Sequence, residues 1–308
     1  MSASQTLDLS GQQRTTLPHI RAELQAYTKI DLDRNQLSVL PAWMGELTAL
    51  KHLTVYDNKL TALPESLWQL TNLETLNISQ NKLTHLSTQI GRLIHLRMLD
   101  VGHNRLDTLP ETIGRLQTLA FLYASDNQLT VLPEPVLQLP NLRYLNATDN
   151  QLTAVSDALG DLSNLVELRL YNNLLSALPP SIGRLTKLQE FYLMNNRLVT
   201  LPDTVGQMAC LRKLDLQGNQ IDSLPETIGD LSHLTDLNLR YNQLTSLPAT
   251  LGRLTNLRHL DLRANNLATL PDLTTLTNLE KLDLRWNKSF RGPVWLKTVE
   301  KRGCIIYL

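Results

Sequence analysis

The chain has 308 residues, with 29 basic and 29 acidic side chains that cancel to a formal net charge of zero. That balance argues against a general binder of nucleic acid or of an anionic membrane, both of which need a basic excess. No apolar run of about 18 residues occurs, so no membrane-spanning helix is expected, and the opening segment Met-Ser-Ala-Ser-Gln-Thr-Leu-Asp lacks the charged and apolar stretches of a signal peptide.

The elements recur at a fixed step. Asn35, Asn58, Asn81, Asn104, Asn127, Asn150, Asn173, Asn196, Asn219, Asn242 and Asn265 are each 23 residues apart, and Asn287 follows after 22. Gln12 takes the same phase one step earlier, so thirteen coils cover residues 1–308 as one repeat array. Around each marker, leucine recurs eight, five and three residues before and two and five after, as in Leu234, Leu237, Leu239, Asn242, Leu244 and Leu247. Leu-x-Leu has period two and predicts a short strand with one buried face. The segment that follows, such as Pro-Glu-Thr-Ile-Gly-Arg-Leu at 110–116, predicts a short helix or 3₁₀ turn with proline at its first position. The marker amide is expected to satisfy backbone groups where the chain leaves the strand. Proline stands sixth after the marker in eleven of the thirteen coils, with Ser87 and Ser156 in the other two. Glycine stands tenth in eight coils, which predicts a turn or a close approach of neighbouring backbones.

In chain order, residues 1–26 read as an N-terminal cap repeat with a helical segment at 19–26. Residues 27–287 form the regular repeats, and 288–308 a C-terminal cap. In that cap, Val294-Trp-Leu-Lys-Thr-Val-Glu-Lys-Arg302 predicts an amphipathic helix stopped by Gly303, and Cys304-Ile-Ile-Tyr-Leu308 a last strand. The only cysteines, Cys210 and Cys304, lie four coils apart and are not expected to pair, which favours a reducing, cytoplasmic compartment.

The unit Leu-x-x-Leu-x-Leu-x-x-Asn-x-Leu-x-x-Leu-Pro-x-x-Ile-Gly-x-Leu resembles the 23-residue leucine-rich repeat. It is most similar to the intracellular Shoc2-like and plant Ras-group branch, which also occurs in bacteria. The resemblance covers about residues 5–308. It implies an α/β fold, a curved solenoid or horseshoe. A parallel β-sheet would line the concave face, and short helices or 3₁₀ turns the convex face. It also implies a protein partner on the concave sheet.

The informative residues are those that break the repeat. Side chains six, four, two and one residues before the marker are expected to point outward or from the sheet edge. Eight of the chain's fifteen aromatics fall there: Tyr56, Phe121, Tyr123, Tyr144, Tyr171, Tyr192, Tyr241 and Trp286. Phe121, Tyr123, Tyr144, Tyr171, Tyr192 and the adjacent Met194 form the candidate contact patch, either a partner-binding hot spot or solvated sheet decoration. Acidic residues dominate the same columns in the first six of these coils. Arg240, Arg263 and Arg285 share one column beside Asp215, Asp261 and Asp283, read either as mutual charge balance or as a ladder that grips a partner's carboxylates or phosphates.

No Walker, dinucleotide, His-Glu-x-x-His or Gly-x-Ser-x-Gly motif occurs, and the histidines are too scattered to share a metal. The chain therefore reads as a non-catalytic scaffold, a monomer without cofactor or metal. The alternatives are a translocated bacterial effector using the same surface in a host cell and a cysteine-dependent transferase acting through Cys304.

Overall fold

The computed structural model describes residues 5–17 and 26–308, so the helical segment expected at 19–26 lies outside the described residues apart from its last position. The chain divides into two compact units, Met1–Gln151 and Leu152–Leu308.

The first unit carries β1 (Gln5–Asp8), β2 (Tyr27–Asp31), β3 (His52–Thr54), β4 (Thr75–Asn77), β5 (Met98–Asp100), β6 (Phe121–Tyr123) and β7 (Tyr144–Asn146). Neighbouring strands within the unit pair in parallel, with a register shift between Gln5 and Thr6 in β1, and from β2 onward the register matches column to column, as in Phe121↔Tyr144, Leu122↔Leu145 and Tyr123↔Asn146. The second unit repeats this plan with β8 (Glu167–Arg169), β9 (Glu190–Tyr192), β10 (Lys213–Asp215), β11 (Asp236–Asn238), β12 (His259–Asp261), β13 (Lys281–Asp283) and β14 (Ile305–Tyr307). The regular strands are three residues long. Their middle residue points inward and its neighbours outward, because side chains alternate along a strand.

The leucine columns form the core. In the Asn242 coil, Leu234, Leu237, Leu239, Leu244 and Leu247 are all buried. Burying each such side chain stabilises by roughly 2 kcal/mol. No coil can do this alone, because its inward face is covered only by the coils on either side.

From the Asn35 coil to the Asn242 coil, the turn side is a five-residue 3₁₀ helix, such as Glu65–Gln69 or Pro180–Arg184. Proline sits one place earlier than expected, at the N-cap: Pro64 is extended (φ −67°, ψ 139°) and its carbonyl accepts the Leu67 N–H at 2.9 Å. Where serine replaces it, the hydroxyl caps the turn. Ser87 accepts from Gln89 N and Ser156 from Ala158 N, each at 3.3 Å. The recurrent glycine marks close packing. A Cβ on Gly91 would stand 2.7 Å from the Thr112 carbonyl oxygen, and one on Gly183 2.5 Å from that of Thr204.

Two side-chain ladders link neighbouring coils, the first continuous and the second interrupted. The marker asparagines are buried or nearly so and bond up to four ways. Asn242 donates to the carbonyls of Leu216, Leu239 and Arg240 and accepts the Ile221 N–H at 3.0 Å. The second ladder was not anticipated. Thr112, Thr204 and Thr250 donate their hydroxyls to the carbonyls of Thr88, Pro180 and Glu226 at 2.6–2.7 Å. Its signal was present in the sequence, as a serine or threonine eight residues after the marker in six coils, although Ser181 and Thr227 at that position find no hydrogen-bond partner among the described residues.

The short step from Asn265 to Asn287 keeps the strand side in register. His259, Leu260 and Asp261 pair with Lys281, Leu282 and Asp283, and Asn287 still accepts from Leu267 N at 3.1 Å. Among the described residues no 3₁₀ helix forms between these two markers, so the missing residue is lost from the turn side. Beyond Asn287 a single α-helix, α1 (Leu296–Lys301), buries Leu296 and Val299. It is shorter than the expected 294–302. Gly303 follows with φ +98°, and β14 pairs with β13.

Candidate protein-binding surface

Every regular coil presents four outward positions, and the structure gives each a distinct setting. The two that flank the buried leucine stand on the strand face. The next two lie on a lip where the strand ends. The last lip residue, immediately before the marker, is left-handed in every coil: φ is 54° at Arg34, 50° at Asp126, 53° at Asn195 and 68° at Gly218. This bend carries the following asparagine into the core. It costs a non-glycine residue about 1–2 kcal/mol, and the paired backbone on either side holds it in place. Sequence reasoning missed it, because the occupants are chemically mixed and only Gly218 advertises the backbone requirement.

On the strand face of the first unit, Phe121 is 41% exposed. Tyr123 and Tyr144, from adjacent strands, stack at 4.8 Å between ring centroids with a 38° tilt. Two carboxylates occupy neighbouring positions, Asp100 opposite Tyr123 in the sheet and Asp126 three residues after it. Asp100 is partly buried and accepts the Gly102 N–H at 2.9 Å. Burial pushes its pKa above the ordinary carboxylate range, and the bonds from Gly102 and Ser79 only partly offset this. Asp126 on the lip is exposed and pairs with His103 at 2.7 Å.

In the second unit Tyr171 and Met194 occupy the lip, half-buried, and Tyr192 the strand face. The Tyr192 hydroxyl donates to Glu190, two residues back on the same face, and the Arg169 guanidinium lies 5.2 Å from its ring centroid. Burial and the Glu190 hydrogen bond both drive the phenol's pKa well above its usual value. The Tyr192 ring is thus fixed in a charged cluster. An open basin of about 490 Å³ lies beside it, floored by Leu214, Leu237 and Leu260.

The three arginines are not equivalent. Arg263 grips Asp261 through Nε at 2.9 Å and Nη2 at 2.5 Å, and approaches Asp283 at 3.4 Å. Arg285 binds Asp283 through Nε at 3.0 Å and Nη2 at 2.7 Å. Asp283 is fully buried. Burial raises its pKa, but the Arg285 bonds and the charges of Arg263 and Arg285 outweigh this and hold it below the ordinary range. These two arginines therefore balance a half-buried acid, Asp261, and a buried one, Asp283. Arg240 instead donates to Gln217 at 2.6 Å and lies 6.0 Å from the Tyr241 ring.

The aspartates and asparagines on the strand face also serve the fold. Asp31, Asn77, Asp100, Asn146, Asp215, Asn238 and Asp261 each accept the N–H two residues on, at 2.9–3.2 Å. Cys304 is buried, which pushes its thiol up to about 11, whereas Cys210 is exposed; both are free. Among the described residues no cluster suits a metal ion, and no helix is long and apolar enough to cross a membrane.

A leucine-rich repeat region model matches residues 79–173 and 210–299, and a leucine rich repeat model matches 26–83 and 163–221. No curated protein matches the sequence significantly. Among solved structures, a leucine-rich-repeat protein of Leptospira interrogans is similar at 30% identity and a TM-score of 0.68, over 99% of this chain and 96% of that one. The ectodomain of the Arabidopsis thaliana receptor kinase GASSHO1/SCHENGEN3, solved with Casparian strip integrity factor 2, is similar at 28% identity and a TM-score of 0.67. That match covers 90% of this chain but only 39% of the receptor chain. Drosophila Toll, in its complex with Spätzle, shares the fold at 21% identity and a TM-score of 0.84, over 98% of this chain and 43% of that one. This chain belongs to the leucine-rich-repeat family.

Proposed function

We propose that this chain is a non-catalytic scaffold that captures a protein partner on its strand face. Phe121, Tyr123 and Tyr144 supply the main contact in the first unit, and Tyr171, Tyr192 and Met194 contribute in the second. The observation that carries this reading is the Tyr123–Tyr144 stack beside the exposed Phe121. Three large rings kept at the surface, none needed by the leucine core, are the composition of an interface hot spot. The carboxylates around them favour a partner segment rich in lysine or arginine, which meets both aromatic faces and negative charge. The structures solved with Casparian strip integrity factor 2 and with Spätzle support protein recognition as the role.

The free thiols at Cys210 and Cys304 support a cytoplasmic address and the intracellular branch of the family. The raised Cys304 pKa weighs against a thiolate nucleophile there. The chain acts as a monomer in this reading. Crosslinked capture from lysate of the source cells, followed by the Tyr123→Ala/Tyr144→Ala variant, tests it. Loss of the captured protein with unchanged thermal unfolding is expected. Full capture by that variant, with loss on changing the turn-side Arg92 and Arg115 instead, would move the site to the opposite side.

A further inference from the structure

The left-handed lip position holds Asp, Asn, Gln, His, Arg, Gly or Ala in ten of its described regular coils, and an aromatic in two. Tyr241 has φ 56° and Trp286 φ 64°. Bulky residues are the least suited to this conformation. Both are nevertheless exposed, at 48% and 59%. Between them stands Ala264, whose small side chain lets the rings meet across one coil, with centroids 6.0 Å apart and a 31° tilt. Elsewhere the same position carries polar bonds along the lip, such as Asn195 to Asn172 at 2.7 Å. The backbone ladder continues unbroken beneath the rings: Tyr241 N bonds Arg263 O, and Ala264 N bonds Arg285 O, each at 2.9 Å. Neither ring is needed to close the coil.

The charge beside the pair is lopsided. Asp261 and Asp283 lie lower and are already bound by Arg263 and Arg285, and Asp283 is fully buried. Arg240 has no carboxylate within ion-pair distance among the described residues; its guanidinium reaches Gln217 and lies against Tyr241. The lip therefore shows aromatic faces and a cation without an ion pair, with Asp215 in its field and Asp261 and Asp283 bound by their own arginines.

We propose that Arg240, Tyr241 and Trp286 form a docking site for an extended acidic peptide segment. A carboxylate of the segment meets Arg240, and an apolar or aromatic side chain lies on the Tyr241–Trp286 pair. The guanidinium stands 6.0 Å from the first ring centroid, and the first ring 6.0 Å from the second. An extended chain covers that reach in about four residues, which sets the spacing of acid and ring in the ligand. The site prefers the opposite charge to the Tyr123–Tyr144 surface and does not depend on it.

The test uses the full chain and synthetic dodecapeptides on a Gly-Ser background, with a glutamate pair and a phenylalanine three residues apart. Controls carry Lys for Glu or Ser for Phe. Binding is read by calorimetry and by the fluorescence of exposed Trp286. The Glu/Phe peptide should bind at least tenfold more tightly than either control, and added salt should weaken it. Arg240→Gln should cost about tenfold. Tyr241→Gly with Trp286→Gly should abolish binding while leaving unfolding unchanged or raising its midpoint, because glycine suits the left-handed backbone. Tyr123→Ala/Tyr144→Ala should bind the peptide normally. A double glycine variant that unfolds earlier yet binds as before would make the rings structural and overturn the site. Equal or better binding of the lysine peptide, tighter binding of a dT dodecamer, or no binding by any peptide would overturn it too.

Discussion

Asn150→Ala is the sharpest test of what holds the coils together. The amide donates to the carbonyls of Ala124, Ala147 and Thr148 at 2.9–3.2 Å, and its oxygen accepts the Leu129 N–H at 3.0 Å. Thr148 O also takes the Asp126 N–H, and Ala124 O keeps a longer bond from Asn127. The Leu129 N–H, on a fully buried residue, has only Asn150. An orphaned buried donor costs about 1–3 kcal/mol, and the weakened Ala124 carbonyl adds to it, so a loss of roughly 2–4 kcal/mol is expected in urea unfolding. The matched control is Gln12→Ala, at the same phase but exposed and bonded only to the Arg14 guanidinium; it should change stability by less than about 0.5 kcal/mol. Hydrogen exchange localises the effect, because the Leu129 amide should lose protection while amides of distant coils keep theirs. Equal losses in the two variants, or unchanged protection at Leu129, would refute the ladder.

Three further outcomes follow from the geometry. Gly183→Ala should cost about 1–3 kcal/mol, because the new methyl meets the Thr204 carbonyl at 2.5 Å. Gly252→Ala should cost less, since its nearest neighbour is the Thr275 hydroxyl at 3.0 Å; equal losses in denaturant would contradict this. Asp100→Asn should stabilise the protein at pH 7, because burial raises the Asp100 pKa and asparagine can still accept from Gly102, as Asn77 and Asn146 do in their own coils. A raised carboxyl favours folding below its unfolded pKa and loses that benefit as pH rises through the folded pKa. The gain should therefore shrink as pH falls through the folded pKa, and a gain independent of pH would refute the cause. Finally, a thiol reagent at pH 7 should modify Cys210 in the native protein and leave Cys304 intact, since burial lifts that thiol to about 11; equal rates by mass spectrometry would show otherwise.

The repeat was legible because its requirements are local and strict. A leucine every second residue and an asparagine every twenty-third leave one solution for the strands, and the asparagine's role followed from its chemistry. The glycine packing was legible for the same reason. Proline's place was off by one, because its fixed φ suits both the N-cap and the first helical residue, and only the extended ψ of 139° at Pro64 separates them. The left-handed lip was hidden, since the ladder of neighbouring backbones imposes it on Arg34 and Trp286 alike. In the site, spacing alone placed Glu190 and Tyr192 on one face, and their hydrogen bond could have been foreseen. The pairing of Arg263 and Arg285 with the half-buried Asp261 and the buried Asp283, against the looser setting of Arg240, depends on burial and was not written in the column pattern.

The shortened step between Asn265 and Asn287 shows how such a chain tolerates errors of length. One residue is missing, yet the strand pairing and the asparagine bonds keep their places, and the turn side gives up its 3₁₀ helix instead. A small insertion or deletion is therefore invisible from the side that carries the rings, where neighbouring columns stay one strand spacing, about 4.8 Å, apart. The outer turn can thus lose a residue while the strand side keeps its metre.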